Sequence, residues 1–218
     1  MLRQKKRKSQ RTYFPAAGFD WALPIYDPLA KLLGEDAVRR ALVDQMSLAP
    51  GHRVLDIGCG TGSMAVLIKE HHPGVAVVEL DPDPKALARA GRKAERAGVE
   101  VHLDRGFSDQ LPYSDASFDR VCCTGMFSLI LREDKETTLR EVHRVLRPGG
   151  SFHLLDLVKT PRGSSLWRLF KPGQRFEVCK EDQTIALMQQ AGLTNPRKTG
   201  KFPNWFWPWP LASYQASR

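Results

Sequence analysis

The stretch VLDIGCGTG, Val54 to Gly62, runs an apolar strand pattern into a carboxylate, Asp56, and then three glycines at alternate positions, Gly58, Gly60 and Gly62. Gly loses more conformational freedom on folding than any other residue, so this density points to a tight turn or a close backbone approach. The residues that follow, SMAVLIKE, carry apolar side chains at helical spacing through Met64, Leu67 and Ile68. The glycines therefore occupy a strand-to-helix turn, where backbone N–H groups and a helix N-terminus can face a ligand. A dinucleotide-binding turn wants G-x-G-x-x-G/A, and Ser63 stands at the third position here, so the ligand is left open by this motif alone.

A second carboxylate narrows the choice. An acid about 20 residues beyond such a turn, at the end of the next strand, can accept bonds from both hydroxyls of one ribose. Asp81, in VVELDPDPKAL, has this spacing, and Glu79 is the weaker candidate two residues back on the same face. The competing reading of Asp81 is a cap for the proline-initiated helix that follows. Two groups are candidates for a general base: Asp156, at the ligand-bearing end of the fifth strand, and Tyr26, in an aromatic segment near the N-terminus. A cap and a packing tyrosine are their respective alternatives. No Ser-His-Asp or Cys-His relay is legible, His153 reads as a sheet residue, and His71-His72 reads as a helix C-terminus. Cys59, Cys122, Cys123 and Cys179 lack C-x-x-C spacing and read as small buried residues of a reducing compartment, with a redox or metal role as the alternative. Cys122 and Cys123 should point to opposite faces of one strand. No metal site is expected.

The elements that would position these groups alternate. An amphipathic helix, EDAVRRALVDQM, closes at Pro50-Gly51, and strand 54–57 leads to helix 63–71. Strand 75–80 precedes a helix that starts at Asp83-Pro84 and ends at Gly98. Strands 99–103 and 118–123, helix 133–146, the turn RPGG and strand 151–157 follow, then a helix over 182–191 and two final strands expected as a hairpin. Such alternation predicts a mostly parallel sheet with helices on both faces. A chain of 218 residues suits one sizeable domain with a real core. The net charge of +9 is uneven: Arg3, Lys5, Lys6, Arg7, Lys8 and Arg11 precede the first acid, leaving about +3 for residues 12–218. No apolar run approaches a membrane span of about 20 residues and no secretory signal is visible, so a cytoplasmic location is expected.

Two further blocks, LPYSDASFDRV and REVHRVLRPGG, complete a set of four that lie in order between about residues 51 and 158. With them the chain resembles the class I S-adenosylmethionine-dependent methyltransferases, of the small-molecule methyltransferase type 11 kind. The resemblance implies a Rossmann-like, seven-stranded, mostly parallel sheet with helices on both faces and the last strand antiparallel. It implies a helical cap over 13–50 and an S-adenosylmethionine-binding domain over 51–218, while the run of bases itself reads as a disordered tail over 1–12. The cofactor would be S-adenosyl-L-methionine, with S-adenosyl-L-homocysteine as product. Asp56, Gly58, Gly60 and Gly62 match the cofactor loop, Gly58 lying close to the aminocarboxylate. Asp81 matches the ribose-binding acid and Pro82 beside it would touch adenine. Phe107 and Ser108 match the segment that borders adenine, where the family often has Asp in place of Phe107. Thr124 follows the fourth strand, where the family's backbone meets the methionine amino group. Near Leu129 the family often has a His in an L-x-H pattern, and this chain reads FSL.

The flanks speak to the acceptor. FPNWFWPWP places Trp205, Trp207 and Trp209 at alternate positions, which suits either a hairpin packed on the sheet or an apolar wall for a lipophilic acceptor. RGSSLWRLFKPGQRF mixes bases and aromatics. A small lipophilic acceptor is expected, a quinone, phenol, thiol or lipid amine, with the basic tail either solvated or in peripheral contact with an anionic membrane. A nucleic-acid or protein methyltransferase is the alternative, disfavoured because CCTGMFSLI after the fourth strand holds no Asn-Pro-Pro-Tyr-type motif. A non-catalytic cofactor-binding module is the other.

Overall fold

The computed structural model describes residues 35–159, 177–202 and 210–218. In these residues β1 (Arg53–Ile57), β2 (Ala76–Asp81), β3 (His102–Arg105), β4 (Phe118–Thr124), β5 (Leu146–Leu157), β6 (Thr194–Phe202) and β7 (Leu211–Ser217) form one sheet. Its order is β3-β2-β1-β4-β5-β7-β6. β1 pairs in parallel with β2 and β4, β2 with β3, and β4 with β5, whereas β7 runs against β5 and β6. The expected sheet, with its antiparallel last strand, is the one observed.

Among the described residues, five helices cover it: α1 (Glu35–Gln45), α2 (Ser63–His71), α3 (Pro84–Ala97), α4 (Arg132–Val145) and α5 (Glu181–Gln190). Successive strand residues face opposite ways, so each central strand serves two cores. On one face Leu55, Ile57, Val78, Leu80, Val121 and Leu154 pack with Leu139 and Val142 of α4 and Met188 of α5. On the other, Val54, Val77, Cys122 and Leu155 pack with Leu42 and Val43 of α1 and Met64 and Ile68 of α2. Cys122 and Cys123 do face opposite cores, and all four cysteines are free, although Cys59 and Cys179 are only half-buried.

Local chemistry sets most boundaries. Asp83 accepts the Lys85 N–H at 2.9 Å to cap α3, Pro84 starts it, and Gly98 ends it at φ +65°. The strand expected at 99–103 begins later, at His102, because the Val99 N–H is still bonded to the Ala94 carbonyl in the helix closure. The expected RPGG turn is instead absorbed into β5. That strand starts at Leu146 beside Phe118, and its register slips between Phe118 and Arg120. Gly149, at φ +79°, supplies the irregularity.

One arginine explains why the LPYSDASFDRV and REVHRVLRPGG blocks occur together. Arg144 of α4 donates to Glu141, to Asp115 at 2.8 Å, and to the carbonyls of Tyr113 at 2.7 Å and Leu111 at 3.1 Å. Glu141 accepts the Leu111 N–H in return, at 2.8 Å. Charge-assisted bonds of this kind hold the loop before β4 onto α4. The tail, Tyr26, most of the expected 13–50 cap, Trp167 and the three tryptophans at 205, 207 and 209 lie outside the described residues; α1, from that cap, shares the core of β1 and α2.

Candidate active site

In a parallel sheet every strand ends at the same edge, and a ligand crevice opens where the strand order reverses, here between β1 and β4. The turn after β1 is stapled to the end of β2. Gly58 and Cys59 donate their N–H groups to the Leu80 carbonyl at 2.8 and 3.2 Å. Gly60 donates its N–H to Asp81 Oδ2 at 2.9 Å, and the Asp83 N–H reaches Oδ1 at 2.8 Å.

Gly58 and Gly62 adopt φ values of +71° and +78°, in the left-handed region that favours glycine. A Cβ on Gly58 would lie 2.6 Å from Met126 Cγ, and one on Gly62 would lie 2.7 Å from the Ala90 Cβ of α3. The sequence suggested close approach to a ligand as a reason for these glycines. The structure shows protein on the near side: Met126, from the segment after β4, closes on Gly58, and α3 closes on Gly62.

The other matched residues gather at the same edge. Pro82 is half-buried, and its carbonyl accepts Arg105 Nε at 3.1 Å. The Gly106 N–H bonds to the Asp81 carbonyl at 3.2 Å, which carries half-buried Phe107 and Ser108 past the end of β2. Ser108 Oγ lies 2.9 Å from Thr138 Oγ1 of α4. At the end of β4 the Thr124 hydroxyl is buried without a hydrogen-bond partner among the described residues. Buried polar atoms are normally satisfied, so an unpaired one at a crevice suits a bound polar ligand.

Asp156 stands differently. It is 3% exposed, its Oδ2 accepts the Ser128 N–H at 2.9 Å and its Oδ1 the Leu157 N–H at 2.6 Å. It also faces the opposite side of the sheet from Thr124, whose partner on β5 is Leu155. Burial raises its pKa, against the pull of Ser128, Leu157 and Lys135. The geometry makes Asp156 a clamp on the 3-10 turn Phe127–Leu129 and not an open base. His153 is a sheet residue, fully buried beside Ser151 Oγ at 2.8 Å, with burial pushing its pKa down to about 3. Tyr26 lies outside the described residues. No metal-ligating cluster occurs among them.

A buried acid pair lies beneath the turn. Asp56 and Glu79 are register partners on β1 and β2, both sealed from solvent. Among the described residues no donor meets either Glu79 oxygen in good hydrogen-bond geometry. Burial, then the Asp56 charge, pushes Glu79 up to about 8, against the Ala65 N–H and the Lys93 ammonium. Burial also pushes Asp56 up to about 7, against the Cys122 thiol at 3.5 Å. The sequence showed two strand carboxylates 23 positions apart; only the register puts them side by side.

The methyltransferase-domain family matches residues 54–150, from β1 into β5. A demethylmenaquinone methyltransferase of Thermus thermophilus is 39% identical over 149 residues, 67% of each chain. An uncharacterized methyltransferase of Synechocystis is 30% identical over 191 residues, covering 83% of this chain and 85% of that one. The chain belongs to the class I S-adenosylmethionine-dependent methyltransferases. The fold agrees: phosphoethanolamine N-methyltransferase 2 of Haemonchus contortus, solved in complex with S-adenosyl-L-methionine, superposes with a TM-score of 0.80 at 14% identity, over 97% of this chain and 61% of its own.

The residues present fit the methyltransferase cofactor. Each Asp81 oxygen accepts one backbone N–H and keeps a lone pair for a ribose hydroxyl. Thr124, whose hydroxyl has no hydrogen-bond partner among the described residues, ends β4, where the resemblance implies that backbone meets the methionine amino group. Asp81→Ala should weaken S-adenosylhomocysteine binding by about 2–4 kcal/mol in calorimetry, since charge-assisted bonds contribute about 1.5–3 kcal/mol each and need not add fully. Because the same change removes an acceptor from Gly60, hydrogen exchange at the turn should rise in the free methyltransferase too.

The acid pair predicts a pH dependence. Unfolded carboxylates titrate near 4, so between about pH 4 and 8 the native state holds protons that the unfolded chain has lost. Stability should therefore fall as pH rises through this window, by up to about 1.4 kcal/mol per pH unit for each linked group, and level off above it. Glu79→Gln has no such proton to lose. Urea midpoints measured from pH 5 to 8 should decline less steeply for this variant than for wild type; equal slopes would mean that Glu79 is ionised in the fold.

Proposed function

We propose that this methyltransferase acts on a small lipophilic ring acceptor of the quinone class, taken in its reduced, hydroquinone form. The observation that carries the reading is the 39% identity with a demethylmenaquinone methyltransferase. Chemistry selects the reduced form. A quinone ring is electron-poor, whereas a hydroquinone hydroxyl pushes electron density onto the neighbouring ring carbon and makes it a nucleophile. Transfer then breaks the methyl–sulfur bond, whose electron pair stays on sulfur, joins methyl to that carbon, and releases the displaced ring proton to solvent.

When bound, S-adenosylmethionine supplies a methyl already activated on a sulfonium. The chain's work is therefore placement. In this reading Asp81 holds the ribose, Pro82 and Phe107 flank adenine, Ser108 borders it, Thr124 takes the amino group, and the turn from Gly58 to Gly62 shapes the floor above Asp56. Holding an acceptor carbon in line with the methyl at about 3–3.5 Å supplies much of the rate, because orientation alone is worth about 7–11 kcal/mol. Tyr26 and Trp167 are assigned to the acceptor side, where aromatic faces suit a ring.

Transfer from methyl-labelled donor should appear in a short-chain naphthohydroquinone kept reduced with dithionite, and be absent with the oxidised quinone. Label entering only thiols or amines would overturn the reading.

A lipophilic quinol is met at a membrane, and no helix among the described residues is long and apolar enough to cross one. We assign peripheral contact with anionic lipid to the six bases at positions 3–11. Deleting residues 1–11 should reduce sedimentation with phosphatidylglycerol vesicles, with a loss that shrinks at high salt. Undiminished sedimentation would remove the tail from this role.

A further inference from the structure

Lys135, in the first turn of α4, is completely buried. Lysine is almost never found there unless paired. Its ammonium donates to the Phe127 carbonyl and lies 4.5 Å from the centroid of the Phe127 ring. The other side of that same peptide bond is the Ser128 N–H, which donates to Asp156 at 2.9 Å. No direct ion pair joins Lys135 to Asp156 among the salt bridges of the described residues. Instead one peptide unit stands between a buried ammonium and a buried carboxylate, its oxygen toward the cation and its N–H toward the anion.

Each charge strengthens its own hydrogen bond and polarises the amide in the sense that strengthens the other. The clamped peptide is also well placed. Met126, which immediately precedes it, is the residue a side chain on Gly58 would strike, at 2.6 Å. On the far side the Ser128 carbonyl accepts the Glu177 N–H at 3.0 Å. The Phe127–Ser128 peptide thus stands next in the chain to the side chain that closes on Gly58.

We propose that Lys135 and Asp156 are a positioning pair, which holds the Phe127–Ser128 peptide between opposite charges and so keeps Met126 seated against the glycine turn of the cofactor site. The inference rests on the S-adenosylmethionine site and is independent of the acceptor. Neither residue is placed in contact with cofactor; both act through the peptide.

The test uses the full chain, with S-adenosylhomocysteine calorimetry and the Ser128 amide proton shift in nitrogen-15-labelled protein. Lys135→Met and Asp156→Asn should each weaken S-adenosylhomocysteine about tenfold, the size of one charge-assisted hydrogen bond. The double variant should lose little more than either single, because the two charges serve one peptide. Both singles should move the Ser128 amide proton upfield, the Lys135 change acting across the bond. Met126→Ala should reproduce the affinity loss and leave that proton in place. If Lys135→Met does not fold, Lys135→Gln, which keeps a donor but no charge, takes its place with the same expectation for the amide shift. Folded variants with wild-type affinity, additive losses, or an Ser128 amide indifferent to residue 135 would overturn the proposal. A wild-type chain that fails to bind S-adenosylhomocysteine would instead overturn the cofactor site.

Discussion

The bond between the turn after β1 and the end of β2 is the constraint on which the site depends. Loops at the end of a parallel sheet have no ladder to satisfy their backbone groups, and buried N–H groups left unpaired are costly. Here Gly58 and Cys59 share the Leu80 carbonyl, and Gly60 takes the Asp81 carboxylate. The left-handed conformation at Gly58 turns these donors back toward β2. Asp81 therefore shapes the glycine turn through its Oδ2. It is free for this because Asp83, two residues on, caps α3. In the sequence Asp81 also reads as the cap of α3, and the structure gives that cap to Asp83.

The two faces of the sheet handle buried charge in different ways. Removing an ion from water costs several kcal/mol unless it is paired, hydrogen-bonded or neutralised. Asp56 and Glu79 lie side by side with no cation hydrogen-bonded to either among the described residues, and burial, with like charge from Asp81 on Asp56 and from Asp56 on Glu79, pushes both pKa values up. On the opposite face Lys135 and Asp156 stay apart and use the two ends of one peptide as the intermediary. Both arrangements lie within a strand or turn of the glycine loop, and both take their effect from the low dielectric of the interior.

Chain segments that are distant in sequence meet through a few directional contacts. Arg144 binds the loop before β4 to α4, and the Ser128 carbonyl binds the turn after β4 to Glu177. These contacts account for matched blocks whose residues are mostly not ligands: the frame must hold the edges of β1, β2 and β4 in a common register before any of them can serve a cofactor.

What the sequence by itself determined is what local physics controls. The strand–helix alternation followed from periodicity, the limits of α2 coincided with the expected 63–71, and Asp83-Pro84 with Gly98 bounded α3, because caps and turns depend on neighbouring residues. The glycine turn and the spacing to Asp81 were legible for the same reason. Tertiary structure alone decided the rest. The pairing of Asp56 with Glu79 is a matter of register between strands. Met126 and Ala90 as the reasons for two glycines, and the inward turn of Asp156 toward Ser128, are contacts between segments far apart in the chain. Lys135 sits among the charges of REDKETTLRE, and only the packing of α4 against the turn after β4 takes it out of water. Side-chain periodicity tells which face of an element is apolar, but it does not carry the identity of the group across the gap, and that group sets the charge, the hydrogen bonds and the chemistry.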